Sequence, residues 1–336
     1  MHQNLIKRLL ILTALFVSFA IAQEKADSAQ VAGAAVAPEE TGWKLQSERS
    51  ITFVDIFLPH YSLKHSDSYL RDWPFIEFAI PFFASQKYTA TRDVNKLVGL
   101  KGEAAGTLSV VDLSASAEVG FSLIHLLEFS VLGKISTAWN YGYETSFMGR
   151  YNPKERDFDN DISFTEYMFD VQYKGGLTIP VLAFLPKSNW TKIIVRTGYT
   201  LEYLRYTGAR DGQLWRAGVE TSANGYKSSQ NVTIIYMLPY EHIKMFMLSL
   251  GRTGFLHDSD FDDVYKPYDP NFKTYSINPM LQFTINAKWS GMAMAMFGRE
   301  RKFENDDYYT NERFLQTRDG HEWAFKMAMI MLTYKF

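Results

Sequence analysis

The stretch Tyr275-Ser276-Ile277-Asn278-Pro279-Met280-Leu281-Gln282-Phe283-Thr284-Ile285-Asn286-Ala287-Lys288-Trp289 alternates with a period of two. Tyr275, Ile277, Leu281, Phe283, Ile285 and Trp289 fall on one side, and Ser276, Asn278, Gln282, Thr284, Asn286 and Lys288 on the other. Successive side chains of an extended chain point to opposite faces, so the stretch reads as a strand with one apolar and one polar face.

The same pattern recurs upstream in segments of about ten residues. Leu113, Ala115, Ala117, Val119, Phe121 and Leu123 alternate with Ser114, Ser116, Glu118, Gly120 and Ser122. Leu127, Phe129, Val131, Ile135 and Trp139 alternate with Glu128, Ser130, Lys134, Ser136 and Asn140. Tyr167, Phe169, Val171 and Tyr173 face away from Glu166, Asp170, Gln172 and Lys174. Ile193, Val195, Tyr199, Leu201 and Tyr203 face away from Lys192, Arg196, Thr200 and Glu202. Several apolar faces begin or end in Tyr or Trp, as aromatic girdles at two lipid interfaces require. The opposite faces carry full charges in mid-strand, which suits either the outside of a soluble sandwich or the lumen of a barrel.

Connection lengths favour the barrel. Tight turns near Ile124-His125, Pro239-Tyr240 and Trp289-Ser290-Gly291 alternate with long polar connections at 141–160, 255–273 and 303–322. Short turns at one end and long loops at the other are a property of bacterial outer-membrane barrels. The expected fold is all-β, a transmembrane antiparallel up-and-down β-barrel of about twelve strands, within roughly ten to fourteen. The strands are expected at 51–59, 73–84, 95–106, 111–123, 126–140, 161–175, 191–206, 226–238, 243–254, 275–288, 292–302 and 323–336. Segment 209–224, strand-like in part, is assigned to a loop.

The chain has 336 residues, no Cys, a net charge of -2 and 15% aromatic residues. Thiolate metal sites and cysteine nucleophiles are thereby excluded, and the near-neutral balance argues against nucleic acid as a partner. Residues 1–22 read as a signal peptide: Lys7 and Arg8, an uncharged apolar run from Leu9, then Ala20-Ile21-Ala22 as the cleavage site. Residues 23–45, Ala-rich and without period, read as a flexible periplasmic tail, and 46–336 as the barrel.

The final residues carry a resemblance. Phe336, Tyr334, Leu332, Ile330 and Ala328 share one face, and Lys335, Thr333, Met331 and Met329 the other. This resembles the C-terminal signature of bacterial outer-membrane β-barrel proteins, porin-like but of no identified subfamily. The resemblance implies an outer-membrane location reached by signal-dependent export. It implies as partners the barrel-assembly machinery, which reads the terminal aromatic strand, together with outer-membrane lipid and lipopolysaccharide.

The candidate pore-lining residues are Glu118, Glu128, Lys134, Glu166, Asp170, Lys174, Arg196, Glu202, Gln282 and Asn286. Neither sign dominates, so strong ion selectivity is not expected, and opposite charges could pair across the lumen. A twelve-stranded barrel lies between the filled and the open sizes. The expected function is a narrow channel for small hydrophilic solutes; the alternative is a structural or surface-interaction barrel. An enzyme is not expected, because Ser222 and Asn224 have no neighbouring His. His257 beside Asp258 and Asp260 is a weak hydrolase candidate. Asp258, Asp260, Asp262 and Asp269 echo a calcium loop but lack its turn Gly and closing Glu, and Asp157, Asp159 and Asp161 form a similar cluster. No cofactor is expected, and the sequence is silent on oligomeric state.

Overall fold

The computed structural model describes residues 42–57, 61–62, 82–95, 97–109, 112–124, 126–139, 148–159, 165–181, 188, 192–217, 220–303 and 311–336. Segment 1–22 and all but the end of 23–45 lie outside them. Twelve long strands close into one antiparallel ring. They are β1 (Lys44–Phe57), β2 (Phe82–Asp93), β3 (Val98–Ser109), β4 (Asp112–Leu123), β5 (Leu127–Ala138) and β6 (Met168–Pro180). The ring continues with β7 (Ile193–Tyr206), β8 (Gly225–Met237), β9 (Ile243–Phe255), β10 (Thr274–Thr284), β11 (Trp289–Phe303) and β12 (Arg318–Lys335). Each pairs with the next in sequence, and β12 returns to β1 from Ser50↔Lys335 to Phe57↔Ala328. Closure pairs every edge, which a sheet surrounded by lipid must do. The shortest of the twelve has 11 residues and the longest 18, enough to cross a hydrocarbon layer at a tilt.

The faces follow the alternation. On β4 and β5 the apolar odd-numbered side chains Val119, Phe121, Phe129, Val131 and Ile135 point outward and are exposed. The even-numbered ones, Glu118, Ser130 and Lys134 among them, point inward and are half-buried. Such a belt of exposed apolar side chains is what a lipid-facing wall demands. At the turn end, Trp289, Tyr334 and Phe336 cluster on the outside, with Tyr334 centred 5.1 Å from each of the other two. Toward the other end Tyr203 and Tyr226 pair at 5.0 Å.

Several boundaries move. The first strand starts at Lys44 rather than 51, and the second runs 82–93 rather than 73–84; residues 73–81 lie outside the described residues. β3 begins at Val98 because Asn95 Oδ1 accepts the N–H groups of Leu97 and Val98, both at 2.8 Å, and forms the preceding turn. β6 runs 168–180 instead of 161–175, straight through Gly175 and Gly176. β10 ends at Thr284. The turn is not at 289–291: Asn286 Oδ1 accepts the N–H groups of Lys288 and Trp289, both at 2.9 Å, so residues 285–288 make the turn and Trp289 opens β11. β12 starts at Arg318 rather than 323, with bulges in the β11–β12 pairing beside Met296 and Arg301.

The described parts of the connections 139–167, 207–224, 256–273 and 304–317 lie at one end of the ring, here the loop end, and pack on one another. Segments Glu220–Ala223, Leu214–Ala217, Met148–Asn152 and Asp157–Asp159 form a separate four-stranded sheet in that order. Segment 209–224 is thus in a loop, as expected, and supplies two of these strands. The largest fully buried side chains among the described residues are Trp139, Trp215, Tyr151, Tyr206, Tyr265 and Phe314. All six belong to this loop end. Trp139, expected on the lipid face, is 2% exposed inside it.

Candidate functional site

The lumen is lined by the polar faces of the strands. Glu118, Glu128, Lys134, Asp170, Lys174, Arg196, Glu202 and Gln282 occupy inward register positions, and several engage one another. Glu118 accepts from Ser130 at 2.6 Å and faces Lys174 at 3.6 Å. Arg196 donates to Glu128 across two strands. Gln172 donates to Asp170 at 2.7 Å and to Glu202 at 2.9 Å, joining two carboxylates on neighbouring strands. Further inward pairs are Lys87 with Glu103 at 2.8 Å, Lys335 with Glu48 at 3.0 Å and Lys326 with Glu300 at 3.1 Å. Charges of both signs therefore neutralise one another along the wall.

Two expected lining residues stand elsewhere. Glu166 precedes β6 and accepts from the Tyr206 hydroxyl in the loop-end core. Asn286 shapes the turn between β10 and β11 and is not on a strand wall. In both cases alternation was extended past the true end of a strand.

Accessibility falls along the lumen. Near the turn end the Arg196 and Glu128 side chains are 53% and 45% exposed. Toward the loop end Asp170 is 7% and Glu322 5% exposed. The cause is the cap made by the loops. Its core packs Tyr151, Phe158, Leu214, Phe255, Phe261, Tyr265 and Phe314, with Tyr151 set edge-on to Phe158 at 5.3 Å and to Phe314 at 5.2 Å. The Arg216 guanidinium lies 4.7 Å over the Phe158 ring, and burial pulls its pKa down. Asn224 bonds the cap to the wall through the backbone of Tyr206 and the indole of Trp215. Gly212 (φ +85°) and Gly225 (φ +154°) adopt backbone conformations that side chains disfavour; a Cβ on either would strike the Asp262 or Asp260 carboxylate packed against it. Two cavities of about 260 Å³ each remain beneath the cap. Lys134, Asp170, Glu202 and Trp215 line one; Glu300, Arg301, Phe255 and Lys326 line the other; Lys227 reaches both.

The acidic loop residues are held apart by separate partners. Asp262 pairs with Arg210 at 2.5 Å, Asp269 with Arg318 at 2.8 Å and Asp263 with Lys266 at 2.9 Å. Asp260 accepts from the Tyr226 N–H. Asp157 accepts from Asn311, and Asp159 from Arg150; Asp161 lies outside the described residues. His257 stacks edge-on against Tyr226, with ring centres 6.5 Å apart. The cap, its Asn224 tether and its glycine contacts had no signal in the sequence beyond the aromatic richness of the loops.

Fold and site together define a closed twelve-stranded β-barrel with a polar, ion-paired lumen and a roof of folded loops. No family model and no curated relative matches the chain. Among solved structures it is similar to the translocator domain of the autotransporter NalP from Neisseria meningitidis, at 8% identity and a TM-score of 0.36, covering 96% of this chain and 97% of that one. It is similar to an outer-membrane channel from Pseudomonas putida F1, at 11% identity and a TM-score of 0.39, covering 90% and 100%. It is also similar to the KdgM porin, at 8% identity and a TM-score of 0.33, covering 85% and 99%.

Proposed function

We propose that the protein is an outer-membrane channel for small hydrophilic solutes, with its long loops outside the cell and its passage restricted by the folded cap. The observation that carries this reading is the gradient of exposure along the lumen. Solvent reaches the Arg196–Glu128 pair at the turn-end mouth and also the mid-strand Lys174 and Glu118 side chains, 33% and 21% exposed, as it would not in a solid core, and Asp170 and Glu322 are buried under the cap. The paired charges leave no net field of one sign, which suits small solutes over strongly selected ions. The signal-like N-terminus and the terminal aromatic strand support export and assembly by the barrel-assembly machinery, with lipid and lipopolysaccharide around the wall.

Purified protein in planar bilayers should give small, infrequent conductance steps, and Arg196→Glu should shift their cation preference upward. A folded barrel that stays silent, also after the 207–224 loop is removed, would count against a channel. The packed core of the cap favours a second reading, a surface-interaction barrel whose cap is the binding face. Loss of adhesion on loop deletion, without any conductance before or after, would select it.

A further inference from the structure

The inward face of the last four strands is built on thioethers. Met247, Met280, Met294 and Met329 are successive register partners across β9, β10, β11 and β12. One step toward the turn end Met292 is opposite Met331, and one step toward the loop end Met296 is opposite Met327. Directly opposed residues on one face have Cβ atoms about 4.5–5.5 Å apart, so the sulfurs of the three adjacent partners Met280, Met294 and Met329 can converge on one point, whereas Met247, about 14 Å from Met329 across three strand spacings, flanks it. All these methionines are half-buried, open to the lumen on one side.

The choice of residue is selective. The outward faces of the same strands use Phe246, Leu250, Ile277, Leu281, Phe283 and Ile330. Between Met245 and Gly251, Ser276 and Gln282, Ser290 and Met296, and Met327 and Thr333, every apolar inward side chain is Met; the rest are Ser, Thr, Asn, Gln or Gly. Leu or Ile would supply the same bulk with better-defined rotamers, and the chain places them freely on the other face. What Met adds is a polarizable, neutral sulfur donor. Thioethers are soft ligands that select copper(I)-type ions over hard cations, which prefer oxygen.

We propose that the Met280–Met294–Met329 trio is a binding site for a soft monovalent metal cation of the copper(I) class. Because the ligands carry no proton, binding needs no deprotonation and stays insensitive to pH near neutrality. The site belongs to the wall and does not require the lumen to conduct, so it stands or falls separately from the channel reading.

Silver(I) serves as a redox-stable probe. Full-length protein, folded in detergent and checked by its faster migration on unboiled gels, should retain silver on equilibrium dialysis against a nitrate buffer and should not retain calcium. The triple variant Met280→Leu/Met294→Leu/Met329→Leu conserves volume and should lose roughly tenfold or more in silver affinity while migrating as the wild type does. In the wild type, silver should also protect Met280, Met294 and Met329 from peroxide oxidation, read by peptide mass, without protecting Met168 in the cap wall. That footprint decides the matter if the variant fails to fold. No retention by folded wild type, equal retention by the folded variant, or oxidation of the trio unchanged by silver would each overturn the site and leave the methionines as packing.

Discussion

Asn224 brackets the backbone of Tyr206: its Oδ1 accepts the Tyr206 N–H at 2.8 Å while its Nδ2 donates to the Tyr206 carbonyl at 3.3 Å. The same amide accepts from the Trp215 indole at 3.1 Å and donates to the Ala209 carbonyl at 3.1 Å. One buried side chain thus fastens the end of β7 to the cap sheet. Asn224→Leu keeps the volume and strands these groups, at about 1–3 kcal/mol for each that finds no new partner. The barrel hydrogen bonds are untouched. Limited proteolysis should then cut the 207–224 and 256–273 connections while the unboiled protein still migrates as a folded barrel, and conductance should rise. A cap as resistant as the wild type would show that Asn224 is not its fastening.

Facing can be tested by moving a charge by one residue. Val131 points to the outside of β5 in mid-strand, between Val119 and Tyr173. Val131→Arg should cost about 2–4 kcal/mol in urea titrations of the lipid-folded protein, because the guanidinium would sit near the middle of the hydrocarbon layer. Ser130→Arg, one residue away on the lumen side and beside Glu118, should change stability by well under half of that. Equal costs would mean that the outer face does not meet lipid.

The end of the chain closes the ring. Thr52 and Thr333 hydroxyls bond at 3.1 Å across the β1–β12 seam, and the Phe336 N–H reaches the Arg49 carbonyl. Phe336 itself is 72% exposed, so its side chain contributes little to the folded core. Deleting it should lower outer-membrane levels in cells severalfold while leaving the melting behaviour of protein refolded in detergent nearly unchanged. A loss of thermal stability with normal membrane levels would assign Phe336 to packing instead of assembly.

Alkaline pH should loosen the cap before the barrel. Burial, with a smaller contribution from nearby Tyr265, pushes the Tyr151 pKa up to about 12. Its hydroxyl donates to the Asn311 carbonyl at 2.8 Å, a bond that the tyrosinate cannot make. Because the folded cap raises this pKa above the ordinary value of 10.0, the associated stability is complete below that value and is lost as pH rises through about 12. Burial raises Tyr265 in the same direction. Tyrosinate absorbance should show a late fraction that appears together with protease sensitivity of the loops, and Tyr151→Phe should remove part of that fraction.

The membrane wall was legible because its code is local. A strand needs only its own residues to display two faces, and the faces of β4, β5, β7 and β10 match their alternation residue by residue. The inward charges on those strands followed from the same parity. Errors came where a period-two pattern outlived its strand: Ile285 and Asn286 continue the alternation of β10, but the Asn286 side chain caps two N–H groups and turns the chain. Glu166 failed in the same way at the start of β6.

Met329 and Met331 were read as sharing a face with Thr333 and Lys335, yet only the register of four strands joins them to the methionines of β9, β10 and β11 in one surface. The cap had no local code at all. Trp139, Tyr151, Trp215, Tyr265 and Phe314 come from four connections spread over more than half the chain and share no period. By itself the sequence determined which side of each strand meets lipid and which meets the lumen, because that depends on backbone geometry alone. The tertiary structure decided how the lumen ends, because burying those aromatics requires the closed ring to bring distant loops to one mouth, where each supplies the others' solvent-free surface.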